Sequence, residues 1–332
     1  MAGEDRFVRR LLAGLPPSRR VLVGPGDDAA VVASGGGLWA VTTDLLVEGV
    51  DFLPGEGPEA VGRRAMAVNL SDLAAMGARP EFFLLTVGFP AARGEEYPLA
   101  VARGALSRAT PLETALAGGD LSDAPVALVS IALWGRPEKE PILRRGARPG
   151  DLLFLSGETG RAAAGLRLAR ARAEGKPQAP GLPAAAAAEL LAAYRDPEPR
   201  LPLGLALARE GRAKAAIDVS DGLGIDAGRL AEASGVRAVL EADRVPVSHS
   251  LAEFARAEGL DPLELALSGG DDYELLFAVA PERAAEVPAE GPGGVSVRRI
   301  GRIEPGRGAV LRSPSGDREV SALGYDHLRE PR

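Results

Sequence analysis

The sequence predicts an α/β protein with mixed α+β sheets, divided into two domains. Its 332 residues exceed what one core usually fills, since single cores rarely grow past roughly 250–300 residues. Helix-period and strand-like apolar segments alternate along the whole length. Charge and proline rise together around Glu138–Asp151, where Arg144-Arg145-Gly146-Ala147-Arg148-Pro149-Gly150-Asp151 separates two apolar runs. The expected division is therefore 1–140 and 141–332.

In chain order, an amphipathic first helix spans roughly Asp5 to Leu15, followed by a glycine-rich turn and an extended segment from Trp39 to Val50. A helix is predicted from Pro58 to Met76, entered through Pro58 and Glu59 and closed by Gly77. Glu81–Phe89 and Pro125–Trp134 read as strands, with a helical stretch, Gly94–Thr110, and a short strand, Glu113–Ala117, between them. A new strand, Leu152–Leu155, opens the second half. It alternates helices (Arg161–Ala173, Ala184–Tyr194, Leu203–Gly211) with strands at Ala215–Val219, Arg237–Leu240 and Tyr273–Val279. Lys176–Pro183 is a proline-rich connection, and Ala184–Ala188 is simply strong helix former.

Composition narrows the chemistry. Hydrophobic residues at 46% and charged ones at 26% suffice for packed cores with a solvated surface. With no cysteine and two histidines, His249 and His327, the chain excludes disulfides, thiol nucleophiles, iron–sulfur clusters and Cys/His zinc sites. Any metal must be a hard cation held by oxygen. A net charge of −7 without a basic block argues against broad nucleic-acid binding, which neutralises many phosphates with Lys and Arg. Small molecules are the expected partners. No apolar run reaches the roughly 18 residues of a membrane helix, and Met1-Ala2-Gly3-Glu4-Asp5-Arg6 lacks the apolar core of a signal peptide, so the expected location is cytoplasmic. Asn69 is the only asparagine, Gln178 the only glutamine, and Arg almost entirely replaces Lys. That bias fits a thermophile, and a GC-rich genome would also enrich Ala, Gly, Arg and Pro.

Acids stand where the surrounding pattern is apolar or glycine-rich. Gly26-Asp27-Asp28-Ala29 occupies a turn, Thr42-Thr43-Asp44 interrupts a strand, and Asp72 falls on the stripe formed by Val61, Ala65, Val68 and Met76. A carboxylate facing inward needs a cation or a hydrogen-bond partner. Ala117-Gly118-Gly119-Asp120, Ile217-Asp218-Val219-Ser220-Asp221-Gly222 and Ser268-Gly269-Gly270-Asp271-Asp272-Tyr273 each put acids and glycines at the end of an apolar segment, where α/β sheets present ligand groups. Glycine lets backbone approach a phosphate, and carboxylates supply hard oxygens for magnesium. Singly, each has a plainer reading: Asp27 or Asp28 serving the turn, Ser220 capping a helix, Asp72 paired with an arginine, Asp44 a strand-edge charge. Ion coordination explains the set with one cause. No G-x-x-x-x-G-K-[ST] loop or protein-kinase signature is present, so magnesium and arginines must neutralise any nucleotide's phosphates.

These motifs, with Val47-Glu48-Gly49-Val50-Asp51-Phe52, Asn69-Leu70-Ser71-Asp72-Leu73-Ala74-Ala75-Met76-Gly77, Leu267–Leu275 and the final Gly324-Tyr325-Asp326-His327-Leu328, resemble thiamine-monophosphate kinase. The likeness is colinear from near residue 26 to near residue 328. It implies the two-domain fold shared with aminoimidazole ribonucleotide synthetase: an N-terminal α/β domain that binds ATP and magnesium and dimerises through its sheet, and a C-terminal α/β domain. It implies ATP-dependent phosphorylation of thiamine monophosphate to the diphosphate by a homodimer. Carried over by position, Asp27, Asp44, Asp72, Asp120, Asp218 and Asp221 bind Mg2+ with Thr42 and Thr43, and the transfer centres on Asp27, Asp72 and Asp218. Thr42, Thr43, Gly119, Asp120, Arg144 and Ser220 fall at the nucleotide, and Asp51, Asp271 and Tyr325 at the thiamine substrate. Three positions depart from the family pattern: Asp51 stands for histidine, Asp271 for glutamate and Tyr325 for tryptophan.

The implied chemistry suits a histidine-poor chain, because a phosphate monoester with a second pKa of about 6 arrives mostly ionised and needs no general base. Selenophosphate synthetase, in the same superfamily, generally offers a reactive Cys or selenocysteine that this chain lacks. The Asn69–Gly77 and Gly324–Leu328 segments favour the thiamine enzyme over aminoimidazole ribonucleotide synthetase and hydrogenase-maturation relatives. A non-catalytic magnesium–nucleotide sensor is the alternative of a different class.

Overall fold

Two sheets organise the chain in a computed structural model that describes residues 3–14, 16, 18–177 and 179–326. The first half runs α1 (Gly3–Leu12), β1 (Val21–Val23), β2 (Ala30–Ser34), β3 (Gly37–Val47), α2 (Pro58–Ala75), β4 (Ala78–Phe89), α3 (Glu96–Ala109), β5 (Ala115–Asp123) and β6 (Leu128–Pro137). Its six strands lie in the order β1-β2-β3-β6-β4-β5, with only β4 and β5 parallel. The first helix ends before its expected limit, Leu15, which lies outside the described residues.

Two readings of this half need correction. The Glu113–Ala117 strand instead spans Ala115–Asp123, so Gly118-Gly119-Asp120 lies within a strand rather than beyond one. Gly119 serves strand packing, since a Cβ there would sit 1.8 Å from the Leu85 carbonyl oxygen. α2 is not a helix with one apolar stripe. It is buried nearly all round, Arg64, Asn69 and Ser71 included, because it packs on the first sheet, on α3 and on elements of the second half. Its end is as expected, with Gly77 at φ +62° directing the chain into β4.

The second half runs β7 (Leu152–Ser156), α4 (Arg161–Ala173), α5 (Ala184–Arg195), α6 (Leu201–Glu210), β8 (Ala213–Val219), α7 (Leu223–Ser234), β9 (Arg237–Glu241), α8 (His249–Glu258), α9 (Pro262–Ser268), β10 (Glu274–Val279), β11 (Glu290–Gly291), β12 (Val295–Glu304), β13 (Gly308–Ser313) and β14 (Gly316–Glu319). Its sheet is ordered β14-β13-β9-β12-β7-β10-β8, with β11 beside β12. β8 and β10 are antiparallel neighbours, Val219 opposite Glu274. That pairing sets the end of β8 beside the start of β10, and so brings Ser220-Asp221 to Gly270-Asp271.

One core lies between the first sheet, α2, α3, α6 and one face of the second sheet, where Phe154 stacks on Phe277 with centroids 5.8 Å apart. The other fills the space between the opposite face and α4, α5 and α7 to α9. The first core thus crosses the 138–151 junction and holds the two halves together. Among the described residues no helix is long and apolar enough to cross a membrane.

Candidate active site

Alternation along β3 turns Thr42 and Asp44 toward α2, while Thr43 and Leu45 are exposed. Thr42 Oγ1 donates a hydrogen bond to Asp72 Oδ2, and the Asp44 carboxylate lies close enough to the same side chain to affect its charge. Among the described residues no arginine pairs with Asp72, so the ion-pair reading of that position does not hold. The turn before β2 delivers Asp27 and Asp28 to Arg144 of the basic linker. The Arg144 backbone N–H donates to Asp27 Oδ1 at 3.1 Å, and its Nε and Nη2 reach Asp28 Oδ1 at 3.1 and 2.7 Å. Arg145 and Arg148, by contrast, are solvated. From the second sheet, Asp218 near the end of β8 accepts from Ser71 Oγ at 2.7 Å.

The result is a cluster in which one carboxylate oxygen from each of Asp28, Asp72 and Asp218 lies within 4.8 Å of the others. Asp28 Oδ2 is buried with no hydrogen-bond partner among the described residues. An octahedral magnesium sets opposite oxygens about 4.2 Å apart. Its adjacent ligands lie about 2.9 Å apart, so the three carboxylates would draw together to share it; three hard anionic donors, one of them an orphaned buried oxygen, have the chemistry such an ion takes. The crowding also raises the pKa values of the acids. Burial, then the charges of Asp44, Asp218 and Asp28, raise Asp72 well above the carboxylate range; burial and then Asp28 do the same to Asp218. Burial and then Asp28 push Asp27 up to about 6, and burial pushes Asp44 up to about 6.

Ser220 and Asp221 follow Asp218. Ser220 does not cap α7: Gly222 occupies that position, and Asp226 accepts the N–H groups of Asp221 and Gly222 at 3.0 and 3.1 Å. Arg229 joins Asp226, at 2.8 Å, to Asp221. The Ser220 carbonyl accepts the Asp271 N–H at 2.7 Å, and the Asp221 carbonyl accepts that of Tyr325 at 2.9 Å. Asp51 lies in the turn after β3, where its Oδ2 accepts the Val47 N–H at 2.8 Å. Burial and then the charges of Asp51, Asp221 and Asp271 raise the pKa of the Tyr325 phenol. A cavity of about 880 Å³ is lined by the acid cluster and by Asp51, Asp271 and Tyr325 alike.

Gly119 and Asp120 are not brought to this cavity. Asp120 shares a cross-strand row with Thr86, Ser130 and Leu45, on the sheet face away from α2, and β5 is an exposed edge. His249 is on the surface beside Glu253, and His327 lies outside the described residues. Sequence reasoning passed over four residues that line or support the site. Asp28 was visible as the second acid of a doublet, but nothing ranked it above Asp27. Asp226, Arg229 and Arg64 lie outside the motifs that the sequence singles out.

Residues 26–136 match the family model for the N-terminal domain of AIR synthase related protein, and 148–313 that for its C-terminal domain. Fold and site thus define an AIR synthase related protein of two mixed α/β domains. The chain is 38% identical to the thiamine-monophosphate kinase of Rhodopirellula baltica over 311 residues, 90% of this chain and 89% of the relative. It is 37% identical to that of Mycobacterium tuberculosis H37Rv over 336 residues, 99% of this chain and 92% of the relative. It superposes on the structure of AaThiL complexed with AMPPCP and TMP with a TM-score of 0.84 at 30% identity, covering 98% of this chain and 96% of that one. The chain belongs to the thiamine-monophosphate kinase family.

Proposed function

We propose that the protein transfers the γ-phosphoryl group of ATP directly, in line, to the phosphate of thiamine monophosphate, giving thiamine diphosphate and ADP. The observation that carries this reading is the joining of an acid cluster, with its unpaired Asp28 Oδ2, to Asp51, Asp271 and Tyr325 in one cavity. Asp28, Asp72 and Asp218 form the centre that holds magnesium, with Asp27, Asp44, Asp221, Thr42 and Thr43 around it. When bound, Mg2+ supplies charge neutralisation on the phosphate oxygens. Arg144 directs Nε and Nη2 to Asp28, which leaves Nη1 to donate to the nucleotide, and Ser220 lines the same cavity. No side chain is assigned as general base, because the acceptor oxygen has a second pKa of about 6 and attacks already deprotonated. Asp51 and Asp271 offer anionic partners to the cationic thiazolium, and Tyr325 a ring.

A coupled assay of ADP release across thiamine monophosphate, thiamine and other phosphorylated acceptors tests the assignment. Turnover that depends on thiamine monophosphate supports it; nucleotide binding without acceptor-dependent turnover would establish a sensor instead. A phosphorylated protein trapped with labelled ATP alone would overturn direct transfer.

We also propose a cytoplasmic homodimer formed through the first sheet, with domains 1–140 and 141–332. The sheet face away from α2 exposes Leu45 and Leu84 at 55% and 39%, and the same face carries Asp120, assigned with Gly119 to metal and nucleotide. Light scattering on Leu84→Glu tests the dimer: monomers support this face, an unchanged mass removes it. The composition further suggests a heat-stable protein from a thermophile, which a thermal melt checks directly.

A further inference from the structure

Among the described residues Arg64 is the largest fully buried side chain, at 1% exposure, and the proposed chemistry makes no use of it. It stands eight residues before Asp72 on α2, and Arg64, Val68 and Asp72 all line the cavity. At ~1.5 Å of rise per residue the two functional groups leave the same helix face about 12 Å apart. Arg64 Nη1 donates to the Tyr194 carbonyl, its guanidinium lies 5.0 Å from the Tyr194 ring centroid, and Nη2 meets Asp271 Oδ2 at 2.8 Å.

Stability alone is a poor reason for this arrangement, because a well-packed apolar side chain of similar volume generally serves a buried position as well as an ion pair does. What the arginine does uniquely is fix a carboxylate. Asp271 Oδ1 accepts the Tyr273 hydroxyl at 2.9 Å, its backbone sits at φ +68°, and its N–H is held by Ser220. With Arg64 on Oδ2, both oxygens have a named donor, and the part of the side chain that stays exposed faces the cavity.

We propose that Arg64 is a positioning residue for the phosphoryl acceptor: it aims the Asp271 carboxylate at the cationic substrate and acts through Asp271 alone. This rests on the reading of Asp271 as part of the thiamine monophosphate site. Since α2 carries both Arg64 and Asp72, one rigid helix then spaces the acceptor end of the cavity from its metal end.

Steady-state rates, with thiamine monophosphate and ATP varied separately, test this on wild type, Arg64→Met, Arg64→Lys, Asp271→Asn and the Arg64→Met/Asp271→Asn double variant. Arg64→Met should raise KM for thiamine monophosphate about tenfold or more, leaving KM for ATP within about twofold and kcat within about threefold. Arg64→Lys, which keeps the charge but cannot bridge Tyr194 and Asp271 alike, should recover part of the loss. In the Asp271→Asn background, Arg64→Met should add less than about twofold. Both KM values rising together, a fall in kcat alone, or independent effects that multiply would overturn the proposal. If Arg64→Met does not fold, the same comparison with Arg64→Lys, alone and with Asp271→Asn, decides it: a KM for thiamine monophosphate equal to wild type rejects the role. A wild-type protein that releases no ADP with thiamine monophosphate refutes the functional reading instead, before any variant is compared.

Discussion

Ser71 Oγ donates a hydrogen bond to Asp218 Oδ2 at 2.7 Å, joining α2 over the first sheet to β8 of the second across 147 residues of chain. Both residues are buried, and Asp218 belongs to the acid cluster, so the bond serves packing and site at once. It favours the ionised form of Asp218 against burial and the Asp28 charge, which push the other way. Ser71→Ala should therefore cost about 1–3 kcal/mol in urea unfolding, the range for removing a donor from a buried charged group. It should also move the acidic limb of the pH–activity profile to higher pH. A profile that superposes on wild type would remove the electrostatic part of this argument.

Asp72→Asn separates the metal role from a structural one. Asp72 is crowded by Asp44, Asp218 and Asp28, and its principal donor is the Thr42 hydroxyl. Neutralising it relieves like-charge repulsion, so the metal-free variant should melt at or above the wild-type temperature. Magnesium-dependent turnover should fall by about a hundredfold or more, as expected when a central charge on the phosphate-binding ion is lost. Full activity in the folded variant would refute the assignment.

Magnesium and protons should compete. Asp27 and Asp44 are each pushed up to about 6 from an ordinary 3.8. A carboxyl whose pKa is raised by folding contributes its full stability below the unfolded value and loses it as pH rises to the folded one. Without magnesium, the melting temperature should fall between about pH 4 and pH 6 on this account; saturating magnesium, which binds the ionised forms, should oppose the fall. Calorimetry in buffers of different ionisation enthalpy should show more protons released on magnesium binding near pH 6 than near pH 8. Equal release at the two values would mean that these acids do not face the ion.

Much of this was legible because glycine, proline and acid placement are local signals. Helix Arg161–Ala173 was read to the residue, and α2 to within one position at its end. The strands β12 to β14 escaped because charges such as Arg298, Arg299 and Arg302 interrupt their apolar pattern, and α9 is a seven-residue helix too short to show a period. Most of the acid motifs meet at one cavity, since a carboxylate in an apolar setting needs a partner wherever it lies. Which member of Asp27-Asp28 enters the cluster depends on Arg144, more than a hundred residues away. No local pattern reports that pairing. Asp120 belonged to a motif of the same form, yet strand register sends it to the other face of the sheet.

The position of α2 determines the geometry of the whole site, because Arg64, Ser71 and Asp72 all ride on it, and two glycines set how closely α3 approaches. A Cβ on Gly62 would lie 1.9 Å from the Val101 carbonyl oxygen, and one on Gly104 would lie 2.0 Å from that of Glu59. Backbone stands on both sides of these contacts, so no side-chain rotation relieves them and the helices must separate. Gly62→Ala should cost at least about 1–3 kcal/mol, although alanine is the better helix former by about 1 kcal/mol. It should also lower kcat/KM for both substrates, since α2 would carry the acid and the arginine out of place together. Gly57→Ala is the matched control: Gly57 precedes α2 at φ −63°, with open space where a Cβ would go. Its stability and rates should stay close to wild type. If urea unfolding finds Gly62→Ala as stable as Gly57→Ala, the close α2–α3 contact is not what fixes the helix, and the spacing of Arg64 and Asp72 must be set by its packing against the sheets instead.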